Sequence, residues 1–252
     1  MIRLFTLAFL CFLVGCEQTT DLYVNRQDIS HVVLSTGLHT ETARMSNGED
    51  LLYGLSVPAI PQNKKVPLVV ALHPAGPPTP YRGYYYMQAL VQPALSDLGA
   101  IIVAPDAPGE SWLDTKSEQA VMSLISMAID EWPVDPGKII ITGYSMGGIG
   151  TWYYADKHSN IFYAAIPMAS EPIGFLTGDV PHYIIQGQND ELFGTASVRR
   201  AVEVLKSKHK RAELVIAEGL SHLQANLYVS YLQQSIPWIN DTTITNKLYL
   251  NY

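Results

Sequence analysis

Residues 139–152 read IIITGYSMGGIGTW, in which a β-rich run delivers Gly143-Tyr144-Ser145-Met146-Gly147 to a helix-compatible segment. A serine at a tight strand-to-helix turn is a candidate nucleophile. Its strained backbone pushes the hydroxyl outward, and small residues two places before and two after it let strand and helix approach closely. The N-terminus of the following helix would then point at any negative charge that develops beside Ser145. The plainer alternative is a glycine-rich helix start with Ser145 as its N-cap. Gly147, Gly148 and Gly150 do not form G-x-G-x-x-G, so a dinucleotide site is not indicated.

A serine nucleophile needs a base, and the base needs an acid to orient it. Seven histidines are available, at 31, 39, 73, 158, 182, 209 and 222. Where the nucleophile sits on such a turn, the acid and then the histidine follow it in the chain. His222, in EGLSHLQA, lies in a loop between a strand-like run and the last helical segment. His158 and His209 have lysine neighbours at expected helix ends, and His182 opens a strand-like run, so these read as structural. HYIIQGQNDELF sets Asp190 just past a strand-like run, with Glu191 as the competing acid. Spacing alone leaves both acids open.

These groups need a scaffold that brings strand ends together. Apolar runs at 51–57, 66–72, 100–105, 138–143, 163–169, 182–187 and 212–219 alternate with helical spacing at about 84–98, 116–132, 146–158, 195–209 and 221–235. Several runs are apolar throughout, as strands covered on both faces are. Strands alternating with helices predict an α/β fold, a mostly parallel sheet with helices on both faces. A single domain over residues 30–252 is expected, with residues 16–29 as a polar tether ahead of it.

The chain has 252 residues, 48% of them hydrophobic and 15% charged, enough to bury a large core. A net charge of -7 argues against a nucleic-acid partner. At the N-terminus, MIRLFTLAFLCFLVGC places Arg3 before an apolar stretch that is too short to span a bilayer but suits a signal peptide. Leu13-Val14-Gly15-Cys16 resembles a bacterial lipobox. The resemblance implies removal of residues 1–15, lipidation of Cys16 and attachment to the cell envelope, with Glu17 favouring the outer membrane.

From about Tyr53 to Gln224 the chain resembles α/β-hydrolases of the esterase and dienelactone-hydrolase type, including feruloyl-esterase-like and polyhydroxybutyrate-depolymerase-like enzymes. The stretches that carry the resemblance are VPLVVALHPAG, APDAPGESWLD, VDPGKIIITGYSMGGIGTWYYA, QGQND and GLSH. It implies ester hydrolysis, with Ser145 attacking the acyl carbon, His222 moving the proton and Asp190 orienting the imidazole. It also implies an oxyanion site built from the Met146 and Ala75 N–H groups, with no metal or organic cofactor. Pro74 departs from the pattern: it stands where the family has glycine, and proline cannot take positive φ. Trp112 and Tyr144 are expected to line the substrate site, for a carbohydrate-linked or small acyl ester. Two rivals stay open, a prolyl-oligopeptidase-like peptidase and an inactive ligand-binding lipoprotein. Oligomeric state is not legible.

Overall fold

The structure, a computed structural model, describes residues 21–174 and 176–241. Eight strands form one sheet: β1 (Gly37–Arg44), β2 (Asp50–Val57), β3 (Val66–Leu72), β4 (Ile101–Pro105), β5 (Val134–Tyr144), β6 (Ala164–Met168), β7 (His182–Gly187) and β8 (Ala212–Ala217). Their order is β1-β2-β4-β3-β5-β6-β7-β8. β1 and β2 are antiparallel to each other, and β2 is antiparallel to β4. From β4 onward every pairing is parallel.

The helices are α1 (Arg26–Ser30), α2 (Arg82–Tyr86), α3 (Gln92–Leu95), α4 (Thr115–Glu131), α5 (Met146–Lys157), α6 (Thr195–Ser207), α7 (Val229–Gln233) and α8 (Ser235–Ile239). Alternate residues of the central strands feed opposite cores, because side chains along a strand point to opposite faces. Leu68, Val70, Leu72, Ile139 and Ile141 pack with Val121, Leu124 and Ile125 of α4. Val69, Ala71, Ile140 and Ile166 pack with Met87, Leu90, Leu232 and Trp238 on the other face. A strand covered on both sides has no polar position to offer, which is why these runs are apolar throughout.

Four boundaries differ from the sequence expectations. The tether ends early: Val24 and Ile29 are buried, Val24 bridges to Met45, and Arg26 pairs with Asp130 and Glu131. The folded unit therefore includes residues assigned to the tether. β1 was not anticipated, since this edge strand buries only Ala43 fully and shows no clear alternation. The helical stretch 84–98 is broken into α2, a π-helical turn at Met87–Val91, α3 and a 3-10 turn at Ser96–Leu98. Pro93 lies inside it and can neither donate to a carbonyl four residues back nor fit its ring there. The last helical stretch begins later than expected, as a 3-10 turn at Ala225–Tyr228, so His222 lies ahead of it in a loop.

Candidate active site

β5 ends at Tyr144 and α5 begins at Met146, so Ser145 alone makes the turn, with φ 56° and ψ -119°. Positive φ is unusual for a side chain other than glycine, and here neighbouring backbone enforces it. A Cβ on Gly147 would sit 1.8 Å from the Leu72 carbonyl oxygen, and one on Gly143 would sit 2.2 Å from the Gly147 carbonyl oxygen. Any larger residue at either place would push α5 away from β3 and β5. The glycines of the motif thus hold the turn closed around Ser145.

At the C-terminal edge of the sheet three side chains meet. The Ser145 hydroxyl donates to His222 Nε2 at 2.9 Å, and His222 Nδ1–H donates to Asp190 Oδ2 at 2.9 Å. The Asp190 and His222 side chains are buried. Asp190 Oδ1 accepts two backbone N–H groups, from Leu192 at 3.0 Å and Phe193 at 2.8 Å. Both carboxylate oxygens are therefore occupied, and the one facing His222 has its direction set. The imidazole in turn is left with its Nε2 lone pair toward the serine, the tautomer a base needs.

Glu191, the competing acid, does something else. Its carboxylate accepts the His222 backbone N–H at 3.0 Å, while the Tyr144 hydroxyl donates to the His222 carbonyl at 2.6 Å. The loop is thus gripped at both main-chain groups of His222 as well as at its ring. The Tyr144 role corrects the sequence expectation: this side chain is 3% exposed and braces the base rather than lining a substrate site. Burial pushes its phenol pKa far up, so the proton it donates is firmly held. Sequence spacing gives no sign of either contact, because each joins segments that meet only in the fold.

Residues 73–76 follow β3 on the other side of Ser145. His73 Nδ1–H donates to the Pro74 carbonyl at 2.8 Å, and Nε2 accepts the Ala107 N–H at 3.1 Å. Burial lowers the His73 pKa to about 4, so the ring is neutral at physiological pH, as this pair of bonds requires. Trp112 packs edge-on against that ring at 4.9 Å and donates its indole N–H to the His73 carbonyl at 2.9 Å. Trp112 is 0% exposed, so the expectation that it walls the pocket is also corrected. An indole has one N–H to satisfy, and here the loop backbone takes it while the ring fills the core beneath.

None of residues 73–76 has positive φ. Pro74 is therefore compatible with this turn, which does not call on a glycine's freedom at that place. Among the described residues, neither Ala75 N–H nor Met146 N–H has a hydrogen-bond acceptor. Met146 N–H is one of the unpaired donors that begin any helix. A cleft of about 580 Å³ opens beside Met146 and His73, with Thr79, Arg82, Asp106 and Glu110 in its walls. Asp106 caps the start of α2 by accepting Gly83 N–H at 2.7 Å, and burial raises its pKa against the pull of those backbone bonds. Asp114 caps α4 through Ser117 N–H at 2.8 Å. Among the described residues, no three His, Cys, Asp or Glu side chains are grouped to hold a metal.

The remaining histidines stay out of this geometry. His182 is buried, stacked on Trp152 and bonded to the Val180 carbonyl, and His158 pairs with Glu118. Cys16 and the lipobox lie outside the described residues, and among those no helix is long and apolar enough to cross a membrane.

Residues 93–231 match the model of the dienelactone hydrolase family, a span that covers more than half of the chain and contains Ser145, Asp190 and His222. The chain belongs to that family. It is 27% identical over 139 residues to an acetylxylan esterase of Coprinopsis cinerea, spanning 49% of this chain and 36% of that one. It therefore covers only about a third of the curated relative it matches. Among solved structures, a thermostable esterase superposes with a TM-score of 0.67 at 25% identity, over 80% of this chain and 62% of that one. An S-formylglutathione hydrolase from Staphylococcus aureus has a TM-score of 0.65 at 12% identity, over 81% and 98% of the two chains, which speaks for the fold alone. The family member's sheet, turn and loops are thus those of an α/β-hydrolase.

Proposed function

We propose that the chain is a serine carboxylic ester hydrolase that works through an acyl-enzyme, on small acyl or carbohydrate-linked esters outside the cytoplasm. The observation that carries this reading is the unbroken line from Ser145 through His222 to Asp190, with both links at 2.9 Å. His222 takes the serine proton as Oγ forms a bond to the acyl carbon. The carbonyl oxygen gains negative charge and accepts hydrogen bonds from the N–H groups of Ala75, in the loop after β3, and of Met146, at the start of α5, whose dipole has the favourable sign. His222 then returns the proton to the leaving alcohol, and water repeats the cycle on the acyl-serine. Each such donor is worth about 3–4 kcal/mol in the transition state.

Membership of the dienelactone hydrolase family and similarity to an acetylxylan esterase support the ester reading. The binding-only rival rested on Pro74, and residues 73–76 take no backbone conformation that proline resists. The purified protein is expected to hydrolyse p-nitrophenyl acetate and to be labelled by a fluorophosphonate, with both lost in Ser145→Ala. A folded protein that shows neither would sink the proposal. Lipidation at Cys16 would hold the enzyme on the envelope, at the outer membrane. Cys16→Ser should then leave the protein soluble, and continued tight membrane association would contradict the anchor.

A further inference from the structure

β7 is buried at every position, yet its next-to-last residue is an amide, Gln186, with a side chain 0% exposed. A buried amide is costly unless its oxygen and its nitrogen both find partners. Here Oε1 accepts the Ser170 N–H at 3.2 Å, and Nε2 donates to the Phe193 carbonyl at 2.7 Å. One partner offers only a donor and the other only an acceptor, so the amide has a single orientation that serves both.

The two ends of this amide hold different parts of the active site. Phe193 closes the acid turn: its own N–H donates to Asp190 Oδ1 at 2.8 Å, and its ring lies 5.5 Å from the His222 imidazole. Gln186 takes the carbonyl of the same residue, so Phe193 is fixed at both main-chain groups. Ser170 belongs to the turn after β6, which supports the nucleophile. The Met168 carbonyl accepts the Ser145 N–H at 3.0 Å, and a Cβ on Gly148 in the first turn of α5 would sit 2.4 Å from Ser170 Oγ. Given the ester-hydrolase reading on which this rests, we infer that Gln186 is a positioning residue that ties the turn carrying Asp190 to the turn supporting Ser145, and so keeps the imidazole aligned between them. A shift of about 1 Å in such an alignment costs about 100-fold in rate.

Two variants of similar side-chain length test this. Gln186→Met deletes both bonds, whereas Gln186→Glu keeps an acceptor for the Ser170 N–H and, as a carboxylate, loses the donor to Phe193. Each should lower kcat for p-nitrophenyl acetate about 10- to 100-fold with KM changed less than about twofold, because the side chain touches no substrate. Introduced into Asp190→Ala, each should cost less than about twofold more, since the acid through which Gln186 acts is already gone. A general packing defect would instead repeat its full loss in both backgrounds. Amide exchange in the unmodified protein gives a readout that needs no variant to fold: the Ser170 N–H should exchange as slowly as its neighbour Ala169, which is bonded to the Ile185 carbonyl. Unchanged kcat in a folded variant, equal losses with and without Asp190, or rapid exchange at Ser170 would each overturn the positioning role and leave the ester-hydrolase reading standing. Failure of the unmodified protein to cleave any ester would overturn both.

Discussion

Two loops bring their groups to Ser145, and they are held in opposite ways. The loop of residues 73–76 rests on buried, uncharged contacts: a neutral His73 bonded at both nitrogens and the Trp112 indole filling the space below. The loop of His222 is gripped by polar groups of its neighbours, at the ring by Asp190, at the N–H by Glu191 and at the carbonyl by Tyr144. Under the proposed mechanism the difference follows from what each loop must do. Oxyanion donors are backbone groups that need only stand still, and a packed core achieves that. A base changes charge during every turnover, so its support must be able to stabilise an imidazolium.

The comparison breaks most sharply at Asp190. Asp190→Ala should lower kcat/KM by about 10⁴-fold, as loss of the orienting acid does in other serine triads. Steady-state kinetics beside Glu191→Ala would check it, and equal losses in the two variants would remove the distinction drawn between them. On the other loop the expected damage is to stability. Trp112→Ala leaves a void under residues 73–76 and the His73 carbonyl without its donor, at a cost of about 3–5 kcal/mol. Denaturant unfolding would measure it, and a loss below about 1 kcal/mol would show that the loop does not depend on this support.

Acid should act on the packed side too. His73 and His182 are buried, and burial lowers both pKa values from the ordinary 6.5 to about 4. Between those values the unfolded chain binds protons that the folded chain refuses, so stability is full above pH 6.5 and falls as pH drops toward 4. Each histidine contributes up to about 3 kcal/mol to that loss. Unfolding free energies measured from pH 7 to pH 4 should decline, and His73→Gln should make the decline shallower. The smallest effects belong to the braces of the base loop. Tyr144→Phe deletes one hydroxyl and should lower kcat about tenfold, roughly the worth of one buried hydrogen bond, with KM little changed. Glu191→Gln keeps an acceptor for the His222 N–H and should retain most of the activity lost in Glu191→Ala. A rate equal to that of Glu191→Ala would point to the charge rather than the hydrogen bond.

Legibility along the chain follows burial and locality. β3, β4, β6 and β7 were readable because strands covered on both faces are apolar throughout. β1 was not, because an edge strand with solvent on most of its positions carries no such run. The Ser145 turn was readable because its demands fall on immediate neighbours, with Gly143 and Gly147 kept small by backbone within a few ångströms. Trp112 and Tyr144 were misread for the converse reason. An aromatic residue at a strand end looks the same in sequence whether it faces a substrate or plugs the core, and only its surroundings separate the two.

By itself the sequence determined the α/β class and offered Ser145, Asp190 or Glu191, and His222 as groups able to do acyl-transfer chemistry, since these rest on residue type, local spacing and hydrophobic period. The tertiary structure decided which of two adjacent carboxylates faces the imidazole. It also decided that Glu191 and Tyr144 hold the main chain of His222. These are relations between segments dozens of residues apart. They exist only once the parallel sheet has brought its strand ends to one edge.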